Sequence, residues 1–418
     1  MNVKSLLLGS AAALVAVYAA RAADAVVIPE PEPVEYVRVC DVYGTAFYYI
    51  PGTETCLKVS GYMRYDIGVG DLFGLQSADK LDLVEDGVLD INDTYFKRAR
   101  AALRLDARTE TELGTLRAYT ELKFQWDTNQ SSFDVVDPIT GDTVTVPFVS
   151  AGNEFAIEDV YIELGGFRVG ATDSLFTSFT DYAGAVINDD FLVPYGPLDG
   201  DMTHQIAYTF TADNGFTAAI AIEEGNGDPD AVFGSDADGD GVVDTVTTIE
   251  AAYTLDDYVP HVVAGVGYSG GWGSIKAVGA YDAVWEEWAA KVRLDVKATQ
   301  TISAFIMAGY KSSEDFSITD PVTGITTTFD GPNYYGNWDG EWAIWGGGSV
   351  EVTEKATFNV QLAYDDFENF SAVANVAYEV VPGFMITPEV AYADNFEDSE
   401  LDDFDGEFGG YLRFQRNF

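Results

Sequence analysis

From about residue 57 onward, apolar and polar side chains alternate along the chain in segments of about ten residues. The segment 98–108 alternates arginine and aspartate with alanine and leucine, and the segments 116–127 and 286–297 show the same pattern. Because successive side chains of a β-strand point to opposite faces, each segment has one charged face and one apolar face. The pattern predicts an all-β protein.

Most segments are long enough to cross a membrane at a tilt. Aromatic residues stand toward the ends of the apolar faces, as an interfacial girdle requires; they are Tyr65, Trp126, Trp285, Trp288, Tyr392 and Phe414. In the alternative, a soluble or surface-attached β-sandwich, the apolar faces would form a buried core.

The connections between segments are unequal in length. Short turns lie near 109–111, 165–166, 213–215, 297–300, 353–355 and 382–383. Between them run long acidic segments at about 71–93, 128–153, 172–202, 224–257, 313–337 and 394–404. Long loops on one side and short turns on the other are typical of a transmembrane β-barrel of the outer membrane.

Seventeen candidate strands fit between residues 57 and 418, but a closed antiparallel barrel with both ends on one side needs an even number. We assign residues 245–255 to an extracellular excursion, because acidic loop residues flank them. The prediction is a transmembrane antiparallel β-barrel of 16 strands over residues 57–418, wide enough for an aqueous channel.

The N-terminus has the layout of a secretory signal peptide over residues 1–22. Lys4 precedes an apolar stretch, and Ala20-Arg21-Ala22 offers a cleavage site. Residues 23–56 then form an acidic segment that contains both cysteines, Cys40 and Cys56. Export and this spacing favour one disulfide, and two free buried thiols are the alternative.

The formal net charge of −47 argues against nucleic acid as a partner, because phosphate binding needs basic patches. A pattern that suggests catalysis, Gly267-Tyr-Ser269-Gly-Gly271, lacks a following helix and a downstream histidine. His204 and His261 are too few and too far apart to form a recognisable metal or acid–base pair. We therefore expect no enzyme activity and no required cofactor.

Residues 236–244 resemble the start of a calcium-binding loop. Asp236, Asp238, Asp240 and Asp244 occupy positions 1, 3, 5 and 9, with glycine at position 6. The glutamate expected at position 12 is replaced by Thr247. Weak Ca²⁺ binding and a plain solvated loop tip both remain open.

Several stretches closely resemble the alphaproteobacterial porin family, among them VEYVRVCDVYGTAFYYIPGTETCLKVSGYMRYD (34–66), YVPHVVAGVGYSGGWGSIKAVGAYD (258–282) and YLRFQRNF (411–418). The resemblance implies a trimeric barrel for passive diffusion of small hydrophilic solutes, set in outer-membrane lipid and lipopolysaccharide. It also implies that the third long loop folds into the lumen, and that Phe418 belongs to the signal read by the barrel-assembly machinery. The acidic fourth loop departs from the family pattern.

We expect the pore chemistry to be electrostatic, with a basic wall facing an acidic loop across a constriction. Alternatively, the basic residues form structural ion pairs, and we expect a mixed role. The wall residues, on the first five strands, are Arg64, Arg98, Arg100, Arg104, Arg117, Lys123 and Arg168. The loop acids are Asp173, Asp181, Asp189, Asp190, Asp199 and Asp201.

Three functional readings follow. The first is general diffusion, and the second is a solute-selective channel with a track of aromatic and paired ionisable groups. The third, from another class, is a secreted all-β adhesin. The acidic loops at the entrance favour cations, whereas the basic wall near the constriction favours anions, and we expect the entrance loops to prevail.

Overall fold

The computed structural model describes residues 38–70, 77–81, 91–136, 143–198, 200–225, 231–235, 245–249, 252–314, 316–319, 326–329, 331–396 and 406–418. Among these residues, no helix is long and apolar enough to span a membrane. The predicted signal peptide and most of the acidic segment before Cys40 lie outside the described residues.

Nearly all of the regular structure is β-strand. In chain order the strands are β1 (Tyr48–Tyr49), β2 (Cys56–Gly70), β3 (Ser77–Leu81), β4 (Ile91–Thr111), β5 (Gly114–Val136), β6 (Thr143–Leu164), β7 (Phe167–Asp173), β8 (Met202–Thr211), β9 (Phe216–Glu223), β10 (Ala231–Ser235), β11 (Thr245–Ile249), β12 (His261–Gly270), β13 (Gly273–Tyr281), β14 (Trp288–Lys297), β15 (Ile302–Lys311), β16 (Phe316–Thr319), β17 (Thr326–Phe329), β18 (Trp342–Thr353), β19 (Ala356–Asp365), β20 (Phe370–Val381), β21 (Phe384–Asp394) and β22 (Glu407–Asn417). A 3₁₀ turn at Asp41–Tyr43 and a short helix, α1 (Leu175–Ser178), complete the list.

Sixteen of these strands close into one antiparallel barrel, namely β2, β4–β9, β12–β15 and β18–β22. Each barrel strand pairs with the next one along the chain, and β22 closes the ring on β2, with Asp66 opposite Arg413. Strands β10 and β11 pair only with each other, as do β16 and β17. The prediction of sixteen strands is confirmed, and β11 shows that the segment around 245–249 is outside the ring.

The side chains alternate between the lumen and the outer surface. Along residues 98–108 of β4, the charged side chains stand at even-numbered positions on the inward face, whereas the odd-numbered positions carry alanine and leucine and face outward. A sandwich would bury its apolar faces, and this barrel exposes them. Exposed outward residues include Val59, Met63, Tyr65, Trp126, Ile162, Ile206, Phe210, Ile220, Val266, Trp288, Ile306 and Leu362.

Two sequence predictions are wrong. Residues 128–153 are not mainly loop, because β5 continues to Val136 and pairs without interruption with β6 from Thr143. Beyond Asp127 this hairpin exposes consecutive residues, such as 131–133, so the alternation disappears although the strands continue. Trp285 is not part of an outer girdle, since it lies between β13 and β14 and packs against the interior cluster.

Cys40 and Cys56 form the predicted disulfide, with 6.0 Å between their Cα atoms. Both cysteines are buried together with Phe47. The covalent link fastens the segment before the barrel to the first residue of β2.

Candidate functional site: the barrel lumen

The segment 174–201, between β7 and β8, folds into the lumen. It starts with α1, whose first turn is capped by Ser174. The Ser174 hydroxyl and the Leu175 amide both donate to the Glu223 carboxylate, at 2.7 and 2.8 Å. Glu223 projects inward from β9 and is 1% exposed. The inward position that the family resemblance implies for this loop is confirmed.

Farther along, the loop is held by polar side chains of the opposite wall. The Trp345 indole donates to the Val193 carbonyl at 2.8 Å, and the buried Lys291 ammonium donates to the Tyr195 carbonyl at 2.5 Å. Strands β19 and β20 each add one hydrogen bond: the Gln361 amide donates to the Asp189 carbonyl, and the Asn375 amide donates to the Ala185 carbonyl. On β21, the Glu389 carboxylate accepts from the backbone amides of Ile187 and Asn188.

Apolar packing supplements these hydrogen bonds. On the wall side of the loop, Phe176, Val193 and Tyr195 are buried against Met307 and Trp345. This packing lies along β9, β12–β15, β18 and β19, away from the strands β2 and β4–β7 that carry the basic residues.

A second inward segment, 332–338, was missed by the sequence reasoning, which placed 313–337 among the outer loops. Tyr334, Tyr335 and Trp338 are each at most 1% exposed. The Tyr335 hydroxyl donates to Glu223 at 3.0 Å, the same carboxylate that anchors α1. The aromatic run within an otherwise polar loop was the signal that could have revealed this segment.

The basic residues predicted on the first five strands lie on the inward face, on the wall opposite the packed side. Five of the seven pair with carboxylates, so the alternative of structural ion pairs describes most of the wall. The pairs are Arg98 with Asp127 at 2.8 Å, Arg104 with Glu121 at 2.6 Å, Arg117 with Asp106 and Glu163 at 3.0 and 2.9 Å, Lys123 with Glu158 at 2.6 Å, and Arg168 with Glu163 at 2.7 Å.

Arg64 and Arg100 are bound differently. Arg64 donates to Gln415 at 2.8 Å and Arg100 donates to Gln125 at 2.6 Å. Within the described ranges, neither has a carboxylate at ion-pair distance.

The loop acids are distributed over both sides of the loop. Asp173 accepts from the Tyr182 hydroxyl, and Asp189 accepts from the Tyr195 hydroxyl at 2.7 Å. Asp181 is exposed. Asp201 accepts from the Thr177 hydroxyl at 2.6 Å. Asp199 lies outside the described residues.

Burial changes the protonation of these acids. It raises the pKa of Asp189 to about 7, with a further contribution from the adjacent Asp190 charge. Burial also raises the pKa of Asp201 to about 6. Desolvation disfavours a charged carboxylate, so these groups gain protons at a higher pH than a free aspartate.

Open space lies between the basic wall and the loop. A cavity of about 540 Å³ is bordered by Arg98 and Tyr411 on the wall and by Asp190 and Pro194 on the loop. The geometry therefore brings at least one predicted wall arginine and one predicted loop acid to opposite sides of the same gap. Such a gap between charged groups can sort solutes by size and by charge.

The described structure does not bring the candidate catalytic residues together. His261 and Ser269 lie on the same strand, eight residues or about 26 Å apart, and His204 is exposed on the outer face. Across the described ranges, no group of three or more His, Cys, Asp or Glu could hold a metal ion. Asp236, Asp238, Asp240 and Asp244 lie outside those ranges, so the calcium hypothesis stays a prediction.

Comparisons with known proteins agree with this architecture. Residues 24–411 match the family profile described as "Porin subfamily". The chain is 46% identical over 424 residues to a protein named porin Omp2a of Brucella canis, and 46% identical over 422 residues to porin Omp2b of Brucella neotomae, each alignment covering 100% of both chains. The crystal structure of the outer membrane channel DcaP of Acinetobacter baumannii has a similar fold, with a TM-score of 0.56 and 15% identity over 88% of this chain and 99% of that chain.

Proposed function

Because this chain belongs to the porin family and lies in the outer membrane, we propose that its barrel passes small hydrophilic solutes and ions by passive diffusion. The observation that carries the proposal is the charged inward face, which borders an open gap between Arg98 and Asp190. Leaving so many charges in a dry core would be costly, whereas a water-filled lumen solvates them. Family membership indicates a channel rather than an enzyme.

The packing favours general diffusion over a solute-selective track. A selective channel would expose aromatic residues along the lumen for solutes to bind. Phe96 and Tyr411 border the gap at one place, whereas the aromatic cluster Tyr334, Tyr335, Trp338 and Trp345 is buried against the loop. This cluster supports the loop and presents no surface to a passing solute.

We further propose a preference for cations. At the gap, Arg98 on the wall is neutralised by Asp127, whereas Asp190 on the loop has no cationic partner within the described residues. The uncompensated charge beside the gap is therefore acidic on the loop side, and it concentrates cations.

The assembly is a homotrimer in outer-membrane lipid and lipopolysaccharide, as the family resemblance implies. Phe418 belongs to the signal recognised by the barrel-assembly machinery. Its main chain exchanges two hydrogen bonds of 3.0 Å with Gly61, so the last residue sits at the seam of the barrel. Shortening the chain by Phe418 should reduce the amount of assembled barrel in the outer membrane.

Ca²⁺ binding by Asp236, Asp238, Asp240 and Asp244 is a separate proposal. Calorimetry on the intact protein and on a variant without residues 236–244 tests it. Equal heats from both proteins would contradict calcium binding by this loop.

Recording from the purified protein in planar bilayers tests the channel. We expect stepwise conductance and a reversal potential, under a KCl gradient, that indicates cation preference. A folded protein that gives no conductance steps would overturn the proposed channel, and a reversal potential directed by chloride would overturn the cation preference alone.

A further inference from the structure

Two arginines of the lumen wall, Arg64 and Arg100, form no ion pair with a carboxylate among the described residues. Arg64 and Arg100 each use Nε to donate to a glutamine oxygen, of Gln415 and Gln125 respectively. In the part of the chain that the structure describes, their terminal Nη groups have no hydrogen-bond acceptor. The five other basic residues predicted for this wall are paired with carboxylates.

Arg64 and Arg100 face each other directly across the β2–β4 ladder. Like charges in this position repel, because the Cβ atoms of directly opposed residues are only about 5 Å apart. Two carboxylates of neighbouring strand positions are already engaged, Asp66 by Arg413 and Asp127 by Arg98. Within the described residues neither arginine is therefore in an ion pair, and the Glu154 carboxylate reaches Arg100 only through the Gln125 amide.

The glutamines hold the arginines without cancelling their charge. The Gln125 amide nitrogen donates to Asp127 at 2.9 Å and to Glu154 at 2.6 Å, which turns its oxygen toward Arg100. The Gln415 amide nitrogen donates to Asn417 at 2.8 Å, which turns its oxygen toward Arg64. Each arginine is thus positioned by a neutral acceptor that is itself oriented by another group.

Arg64 has a further support. Its guanidinium lies over the Tyr62 ring, with 4.5 Å from Cζ to the ring centroid. Contact with the aromatic face favours a cation and fixes the plane of the guanidinium. The arginine is thereby preorganised, and binding an additional group would require little reordering of the side chain.

We propose that Arg64 and Arg100 form a binding station for an oxyanion, a phosphate or carboxylate group carried by a permeating solute. Guanidinium groups bind such oxygens through pairs of N–H donors. Arg100 lies two residues along β4 from Arg98, which borders the gap, and this spacing is about 7 Å. An anionic solute that has passed the gap therefore meets the station next. The inference rests on the proposed channel.

The test is the effect of inorganic phosphate on the KCl current of single channels in planar bilayers. Wild type should show a saturable decrease of the current as phosphate is added. In Arg64→Gln and Arg100→Gln, the phosphate concentration for half-maximal block should rise by about tenfold, the scale of losing one charge-assisted hydrogen bond.

Two variants keep both arginines and replace the neutral acceptors. Gln125→Glu also removes the amide donor to Asp127 and Glu154, and Gln415→Glu removes only the donor to the neutral Asn417, so Gln415→Glu is the cleaner of the two. Gln125→Glu and Gln415→Glu place a carboxylate next to each guanidinium, so they should also weaken the block by about tenfold. Gln300→Glu makes the same chemical change at an exposed residue of a short turn, and its block should match wild type.

Failure of the inference and failure of the channel give different results. Wild-type channels that conduct but are not slowed by phosphate would overturn the binding station, as would glutamate variants with an unchanged half-blocking concentration. Wild-type protein without any conductance steps would instead contradict the proposed channel.

Discussion

The Glu223 carboxylate accepts hydrogen bonds from both the Tyr335 hydroxyl, at 3.0 Å, and the Ser174 hydroxyl, at 2.7 Å. One buried side chain of the barrel wall thus joins two inward segments that are about 160 residues apart in the sequence. Two inward segments, 174–201 and 332–338, therefore share one anchor on the barrel wall, the Glu223 carboxylate.

Replacing Glu223 should loosen both segments. Glu223→Ala leaves three buried donors without an acceptor, namely Ser174 Oγ, the Leu175 amide and the Tyr335 hydroxyl. We expect a loss of roughly 3 kcal/mol in the free energy of unfolding, together with noisier open-channel current. Denaturant titration and single-channel recording measure the two effects. Glu224→Ala, at the adjacent exposed position, is the control and should behave as wild type.

Cation preference should weaken as the pH falls from 8 to 5. Asp189, with a pKa raised to about 7, loses its charge first, and Asp201, with a pKa of about 6, follows. A unit charge about 8 Å away in water is worth about 0.5 kcal/mol, or roughly a twofold change in ion occupancy. Reversal potentials measured across this range test the expectation.

The Asp189→Asn variant should flatten the upper part of that pH curve, while Asp213→Asn, at an exposed short turn, should leave it unchanged. A permeability ratio that stays constant between pH 8 and pH 5 in wild type would show that these loop acids do not influence ion passage.

Asp106 neutralises two wall arginines at once. Its carboxylate binds Arg108 at 2.7 Å and Arg117 at 3.0 Å. In Asp106→Asn, the uncompensated positive charge should shift the reversal potential toward anions. The free energy of unfolding should fall by about 2 kcal/mol, less than the loss of about 3–5 kcal/mol for a fully buried pair, because both arginines are partly exposed. An unchanged reversal potential in the folded variant would contradict this role.

The disulfide should affect stability without affecting conduction. It closes a segment of sixteen residues before the barrel, and a loop of this size stabilises a fold by about 3 kcal/mol in the chain-entropy account. The double variant Cys40→Ser, Cys56→Ser should unfold at lower denaturant concentration and keep wild-type conductance. Reduced wild type should unfold at the same denaturant concentration as this variant, whereas equal unfolding midpoints of the variant and of oxidised wild type would refute the expected stabilisation.

The strands could be predicted because lipid and water impose a strict alternation on each residue of a membrane-spanning segment. The same rule fails where both faces are in water, as in 131–133, and there the sequence suggested a loop. The partners of the wall residues could not be predicted. Arg98 lies opposite Asp127, and Arg100 lies opposite Gln125, only in the observed register between β4 and β5. A shift of one residue would turn the side chains of one strand to the other face and break both contacts.

The inward position of the third loop followed from family resemblance, and not from its own residues. Its anchors, such as Lys291 and Glu223, are ordinary members of alternating strands in the sequence. Their burial results from contacts with residues about a hundred and about fifty positions away, respectively. Nothing local distinguishes them from charges that face open water.

The pairing of β2 with β22 sets the order of events during folding. Asp66 and Arg413 form an ion pair of 2.8 Å at a sequence separation of 347, so one edge of β2 has no partner until the end of the chain has been synthesised. An unpaired strand edge is a template for aggregation. The nascent protein therefore needs a holding factor during its passage to the membrane, and any truncation before β22 leaves the first edge permanently open.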